Sequence, residues 1–122
     1  MKIAVLGYGT VGSGVVEVLD VNQKLIASRA KEEIEVKYVL DLRNFPGDKI
    51  QEKIVHDYEI ILNDPEIGIV VEVMGGVEPA NTFVRKALEA GKSVVTSNKA
   101  LVAKYGSALL KTAREKKCEF PF

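Results

Sequence analysis

Apolar residues along this chain form short, nearly continuous runs, separated by longer stretches in which they recur every three or four positions. The short runs span residues 2–6, 34–42, 67–74 and 93–96. Runs of this kind are typical of strands that are buried on both faces, so they indicate a parallel sheet. A further run at residues 118–122 predicts a fifth strand.

The stretches between these strands carry helical patterns. Residues 10–30 place apolar side chains on one helical face directly after a glycine-rich turn, and residues 79–90 and 98–117 predict two further helices. Residues 49–63 are less regular and predict one or two short helices. Strands that alternate with helices through right-handed crossovers predict an α/β fold, a Rossmann-type doubly wound sheet with helices on both faces.

The length of the chain limits it to one core. With 122 residues, of which 47% are hydrophobic, we expect a single domain over residues 1–122. The chain stops inside an apolar, strand-like segment. We therefore expect a form truncated relative to a complete enzyme.

Charge and cysteine content narrow the function classes. Seventeen basic and seventeen acidic residues cancel, which argues against nucleic acid or a membrane as partner and favours small molecules. The one cysteine, Cys118, excludes an internal disulfide and fits a cytoplasmic protein. The first apolar stretch ends at Gly7 and is too short for a signal peptide. His56 has no companions in a metal-ligand spacing, so we expect a solvent-exposed histidine and no metal site.

Three glycines follow the first predicted strand in the spacing G-x-G-x-x-G, namely Gly7, Gly9 and Gly12. In dinucleotide-binding folds these glycines give a tight turn, room for the pyrophosphate, and close packing of helix against strand. The amides of this turn, which also contains Thr10 and Val11, favour a diphosphate at the start of the following helix. A turn that only redirects the chain is the alternative, but the strand before it and the helix after it favour a dinucleotide.

Two charged residues follow the second predicted strand, where an acid commonly binds the adenosine ribose. Asp41 lies 41 − 12 = 29 residues after Gly12, further than the usual spacing of about 20, and the long first helix accounts for the excess. An acid at this position favours NAD, whereas Arg43 would accept the 2′-phosphate of NADP. The preference between NAD and NADP stays open, and solvated charges at a strand end are the alternative for both residues.

Polar residues and glycines also end the next two strands. Gly75 and Gly76 follow the strand at residues 67–74, where open α/β sheets bind ligands and the lack of a Cβ lets a cofactor approach. Thr96 and Ser97 end the following strand, and we expect them to bond the nicotinamide side of the cofactor. A tight turn and helix capping are the structural alternatives.

Three sequence motifs together narrow the choice of protein family. The chain contains GYGTVG at residues 7–12, EVMGG at 72–76 and GKSVVTSNK at 91–99. In this order the motifs resemble those of homoserine dehydrogenases, and the resemblance covers essentially all 122 residues. Related sugar oxidoreductases usually continue into a Glu-Lys-Pro triplet at the position where this chain has Ser97, Asn98 and Lys99.

The resemblance also implies residue roles. Lys99 would lie beside the nicotinamide and the substrate, where an ammonium can polarise a carbonyl or take part in proton transfer. Without the resemblance, a solvated lysine in a first helical turn is the better interpretation. For Glu72, an acid inside an apolar strand, we expect a structural role in which it accepts hydrogen bonds from backbone or hydroxyl donors near the strand end.

Members of the resembled family interconvert L-homoserine and L-aspartate 4-semialdehyde by hydride transfer, in the route to threonine and methionine. Their substrate-binding domain follows the point where this chain ends, and they commonly form homodimers through that part. We therefore expect this chain to bind NAD or NADP without turning over homoserine. A stand-alone NAD(H)-sensing module and the cofactor domain of a related small-molecule dehydrogenase are the alternatives.

Overall fold

The computed structural model describes residues 2–9, 14, 16, 35–74 and 76–120. The strands are Lys2–Leu6 (β1), Glu35–Leu40 (β2), Ile54–Val55 (β3), Ile67–Glu72 (β4) and Ser93–Thr96 (β5). A 3-10 helix spans Lys49–Lys53, and the α-helices are Tyr58–Leu62 (α1), Ala80–Glu89 (α2) and Lys99–Glu115 (α3). The helix predicted at residues 10–30 lies almost entirely outside the described residues.

The five strands form one parallel sheet in the order β3-β2-β1-β4-β5. From β1 the chain builds outward through β2 and β3, and it then returns to the other side of β1 with β4 and β5. The predicted α/β fold is confirmed. In such sheets the strand order reverses between two central strands, here β1 and β4, and ligands bind outside their carboxyl ends.

Both faces of the sheet are buried, as the continuous apolar runs predicted. Ala4 and Leu6 of β1 belong to a core that also contains residues of α1, α2 and α3, among them Leu88 and Leu109. The alternate β1 residues face a second core, whose buried members are Ile3, Val5, Val16, Val36, Val39 and Ile50. Side-chain alternation along β1 therefore divides the hydrophobic residues between two layers.

Two predictions about strands were wrong. The strand β3 was not predicted, because its two residues lie inside the stretch assigned to short helices and are too few to show a period. Residues 118–120 are not a strand. The Cys118 amide instead donates to the carbonyl of Ala113, which continues the end of α3. The segment is joined to β5 by bonds from the Val94 amide to the Glu119 carbonyl and from the Glu119 amide to the Ser93 hydroxyl, both at 3.0 Å. Residues 121–122 lie outside the described part.

The ends of the other elements have local causes. The strand predicted to reach Met74 ends at Glu72, because the Glu72 carboxylate accepts the Met74 amide at 3.1 Å. The last predicted helix begins at Lys99, with the Asn98 side chain accepting from the Leu101 amide at 3.1 Å as an N-cap. Side chains therefore set both boundaries at the carboxyl edge of the sheet.

Candidate functional site

A cavity of about 510 Å³ lies at the carboxyl edge of the sheet, where the ends of β1, β2 and β4 meet. Its lining residues come from the glycine turn, from the loop after β2, from the segment after β3 and from the segment between β4 and α2. They include Gly7, Gly9, Asp41, Arg43, His56 and Met74. The cavity therefore occupies the reversal of strand order between β1 and β4.

The glycine turn has the geometry that the sequence predicted for its described members. Gly7 has φ +100°, and its amide donates to the Leu40 carbonyl at 2.8 Å. The positive φ favours glycine at this position, and a Cβ at Gly7 would in addition crowd Cγ of Met74 at 3.2 Å. At Gly9, which is exposed, a Cβ would meet no atom of the described residues within 4 Å. Open backbone at Gly9 leaves room for a ligand that contacts main-chain atoms.

Three further residues of the turn, Thr10, Val11 and Gly12, lie outside the described residues. Their proposed contact with a diphosphate stays a prediction. Gly75 lies outside as well, whereas Gly76 is described and has φ +74°. The conformation of Gly76 is in the left-handed region, which favours glycine at the turn after β4.

Asp41 and Arg43 form a two-pronged ion pair at the edge of the cavity. Arg43 donates from Nε to Oδ1 and from Nη2 to Oδ2 of Asp41, each at 3.0 Å. The backbone amides of Arg43 and Tyr8 donate to the same carboxylate at 2.9 and 3.0 Å. The Arg43 side chain lowers the pKa of Asp41 to about 2, and the two amides act in the same direction against partial burial. Asp41 is therefore an anion that holds an arginine in place.

An aromatic pair supports this arginine. The Arg43 guanidinium lies 5.2 Å from the ring centre of Phe45, which meets the ring of Tyr8 edge to face at 4.9 Å. The cation and its two oxygen partners are therefore fixed relative to the glycine turn, which contains Tyr8. Sequence reasoning missed Phe45 and Tyr8, because nothing in their spacing shows that they meet.

His56 is exposed, as predicted, but both of its ring nitrogens have partners. Nδ1 lies 2.6 Å from the Asp41 carbonyl oxygen, and Nε2 lies 2.9 Å from Oδ1 of Asn44. His56 therefore stabilises the loop after β2 through contacts with two of its residues, Asp41 and Asn44. The sequence offered no signal for this contact, because it depends on the unpredicted strand β3, which places His56 beside the end of β2.

A second cavity, of about 450 Å³, lies at the start of α3. It is lined by Thr96, Ser97, Asn98, Lys99, Val102 and Ala103. Ser97 and Lys99 are exposed, and no carboxylate of the described residues lies within ion-pair distance of Lys99. The structure therefore brings together the three residues predicted for the nicotinamide side, with the ammonium of Lys99 at the first turn of a helix.

Between the two cavities lies a buried polar network centred on Glu72. Thr96 donates its hydroxyl to Oε2 of Glu72 at 2.7 Å, and Nδ2 of Asn98 donates to Oε1 at 3.2 Å. Nδ2 of Asn98 also donates to the carbonyl of Gly76. The expectation that Glu72 accepts hydrogen bonds near the strand end is confirmed. The Thr96 hydroxyl was predicted to bond the nicotinamide side of the cofactor. In the structure it donates to Glu72 and accepts from the Asn98 amide, so it is already engaged within the protein.

The described residues also bear on metal binding and membrane insertion. No group of three or more His, Cys, Asp or Glu residues is placed to hold a metal ion there. No helix in the same part of the chain has the length and apolar character needed to cross a membrane.

Comparison with known protein families gives the identity of this arrangement. Residues 7–122 match the family model described as the homoserine dehydrogenase NAD-binding domain. The chain belongs to this family. The motif-based resemblance in GYGTVG, EVMGG and GKSVVTSNK is thereby confirmed.

Curated homoserine dehydrogenases show the same relationship. The chain is 43% identical to the enzyme of Pseudomonas aeruginosa over 117 residues, which is 95% of this chain and 27% of the relative. It is 37% identical to the enzyme of Bacillus subtilis over 125 residues, covering 100% of this chain and 29% of the relative. The chain thus spans less than a third of the length of these relatives.

Solved structures agree in fold. A Staphylococcus aureus homoserine dehydrogenase crystal structure at pH 7.0 superposes with a TM-score of 0.91 at 38% identity, covering 100% of this chain and 32% of that chain. A Thiobacillus denitrificans homoserine dehydrogenase gives 0.90 at 38% identity, covering 100% and 29%. A hyperthermophilic archaeal homoserine dehydrogenase in complex with NADPH shares the fold, with a TM-score of 0.79 at 23% identity and coverage of 99% and 43%.

Proposed function

We propose that this chain binds NAD or NADP as the cofactor part of a homoserine dehydrogenase, which interconverts L-homoserine and L-aspartate 4-semialdehyde by hydride transfer. The observation that carries the proposal is the 510 Å³ cavity at the strand-order reversal, lined by the turn in which Gly7 has φ +100° and Gly9 leaves open backbone. A dinucleotide fits this setting, because its diphosphate needs close approach to main-chain amides.

Each half of the cofactor would have its own protein groups. Asp41 and Arg43 line the cavity beyond the turn, and we assign to them the adenosine ribose, with Arg43 as the partner of a 2′-phosphate. We assign the diphosphate to the turn at residues 7–12. Gly75, Gly76, Thr96, Ser97 and Lys99 are proposed for the nicotinamide side. The fold accommodates the phosphorylated form, since the archaeal relative is in complex with NADPH.

Lys99 is the residue we propose for chemistry. The cofactor, when bound, supplies and accepts the hydride. An ammonium beside the reacting carbonyl oxygen stabilises negative charge that develops there and can hold or release a proton. Lys99 lines the second cavity, at the first turn of α3, where its side chain is exposed and available to a substrate.

We further propose that residues 1–122 supply the cofactor half and that the substrate-binding half, the homodimer contact and turnover need the rest of an enzyme of the relatives' length. Membership of a cytoplasmic route to threonine and methionine belongs to the same proposal. The purified chain should bind cofactor without oxidising homoserine. Robust homoserine oxidation by the chain alone would contradict the proposal that turnover needs the rest of the enzyme.

Calorimetric titration with NAD, NADH, NADP and NADPH tests the cofactor assignment directly. We expect saturable binding of at least one pair, with one site for each chain. Absence of binding by all four dinucleotides in the millimolar range would refute the proposed function.

A substitution at Gly9 tests whether the diphosphate binds at the glycine turn. Gly9→Ala should weaken dinucleotide binding about tenfold or more, equivalent to about 1.4 kcal/mol, because a methyl group occupies space that the pyrophosphate needs. Folding should be unaffected, since a Cβ at Gly9 meets none of the described atoms within 4 Å. Gly68→Ala is the matched control, because Gly68 of β4 is exposed and has the same open surroundings. Equal affinity of both variants for NAD(P) would exclude the turn as the diphosphate site.

A further inference from the structure

The side chain of Glu72 is completely buried and lies between the two cavities without lining either. It is the last residue of β4, and the two residues after it, Val73 and Met74, line the first cavity. Its hydrogen-bond partners Thr96 and Asn98 line the second cavity. Glu72 therefore connects the two places where halves of a ligand would bind.

No cation balances this acid within the described residues, since none of their ion pairs includes Glu72. Its partners are all neutral donors: the Thr96 hydroxyl at 2.7 Å, the Asn98 amide group at 3.2 Å and the Met74 backbone amide at 3.1 Å. Burying an acid among neutral donors is costly unless each bond is made. Apolar residues of similar volume often stabilise a protein interior as well as buried charged groups do. Stability alone therefore does not explain why an acid lies at this position.

The direction of every bond in this network is fixed. The Thr96 hydroxyl oxygen accepts from the Asn98 backbone amide at 3.0 Å, so its proton must go to Glu72. The oxygen of the Asn98 side chain accepts from Leu101, so its nitrogen must face Glu72 and Gly76. Only a side chain that accepts at both of its terminal oxygens satisfies these donors, and the carboxyl group of Glu72 does so.

We propose that Glu72 is a positioning residue for the nicotinamide half of the cofactor. Its carboxylate fixes residues 96–99 against Met74 and Gly76, so that Ser97 and Lys99 present a preformed surface. The inference rests on the proposed NAD(P) binding. Glu72 should affect only the nicotinamide half of the cofactor, because Asp41 and Arg43 have no bond to this network among the described residues.

The variant Glu72→Gln tests this role with almost no change in size. Its amide nitrogen donates where the native oxygen accepts, so it opposes the donor of either Thr96 or Asn98. We expect affinity for NAD(P) to fall about tenfold, equivalent to about 1.4 kcal/mol, while affinity for ADP-ribose, which lacks nicotinamide, stays unchanged. Glu78→Gln is the control, because Glu78 is exposed and bonds only to Thr82 among the described residues.

A second variant keeps the test decisive if Glu72→Gln does not fold. Thr96→Val has nearly the same shape and removes the 2.7 Å bond, so it should give the same selective loss for NAD(P). Equal losses for NAD(P) and ADP-ribose, or no loss for either, would overturn the positioning role. If the unmodified protein binds neither ligand, the proposed function itself fails, and this inference falls with it.

Discussion

The two ends of the candidate site are built in opposite ways. The end proposed for the adenosine, where Asp41 and Arg43 line the cavity beside His56, carries a charged pair, and the Arg43 side chain is 63% exposed. The end proposed for the nicotinamide rests on the buried residues Glu72, Thr96 and Asn98, which form no ion pair among the described residues. One end is suited to selecting a ligand by charge, and the other to holding one geometry.

The difference has an energetic basis. Ion pairs with an exposed partner typically contribute about 0–1 kcal/mol to stability, because water screens them and the long side chains lose freedom. A buried donor left without an acceptor costs about 1–3 kcal/mol. Changes at the adenosine end should therefore alter ligand choice, whereas changes at the nicotinamide end should also alter folding.

The largest expected effect is on stability at the nicotinamide end. Glu72→Ala should lower the free energy of unfolding by about 3 kcal/mol or more, because the buried Thr96 and Asn98 donors and the part-buried Met74 amide lose their acceptor. Arg43→Ala should cost less than about 1 kcal/mol. Urea denaturation of both variants measures the contrast. Losses of similar size would show that the two ends do not differ in this way.

A smaller but more selective effect is expected for cofactor choice. Arg43→Ala should weaken NADP and NADPH binding roughly 10- to 100-fold, because a charge-assisted bond to the 2′-phosphate is lost, and should leave NAD binding nearly unchanged. Calorimetry with both cofactors measures the ratio, and Arg85→Ala on the exposed side of α2 is the control. Equal losses for NAD and NADP would refute the assignment of Arg43 to the phosphate.

The smallest effect is expected in acid. The pKa of Asp41 is lowered to about 2, against a usual value of about 4. The stabilisation from this group is therefore complete above about pH 4 and is lost as the pH falls through about 2. The Lys37 side chain lowers the pKa of Asp64 to about 2 in the same way, at the opposite edge of the sheet.

Two substitutions separate these carboxylates. Asp41→Asn and Asp64→Asn should each flatten the loss of unfolding free energy between about pH 4 and pH 2, but only Asp41→Asn should also change cofactor affinity. Unfolding free energies measured over this range, with calorimetry at neutral pH, check both statements. An unaltered acid profile in Asp41→Asn would mean that its carboxylate is not stabilised by Arg43.

Local features of the fold were predictable from the sequence, whereas contacts between distant residues were not. Strands β1, β4 and β5 follow from apolar runs, and the glycine turn follows from its spacing, because these signals are local. The roles of Thr96 and Asn98 within the network were not predictable, because their bonds to Glu72 join residues 24 and 26 positions apart. His56 was missed for the same reason, since its contact with Asp41 spans 15 positions and depends on a two-residue strand.

The contact between the glycine turn and Asp41 limits how cofactor preference can be engineered. The Tyr8 amide, inside the glycine turn, donates to the carboxylate of Asp41 at 3.0 Å. Replacing Asp41 to change cofactor preference would therefore also remove one bond to the segment proposed to hold the diphosphate, and we expect lower affinity for both dinucleotides. Redesign of the preference should begin at Arg43, whose removal leaves this tether in place.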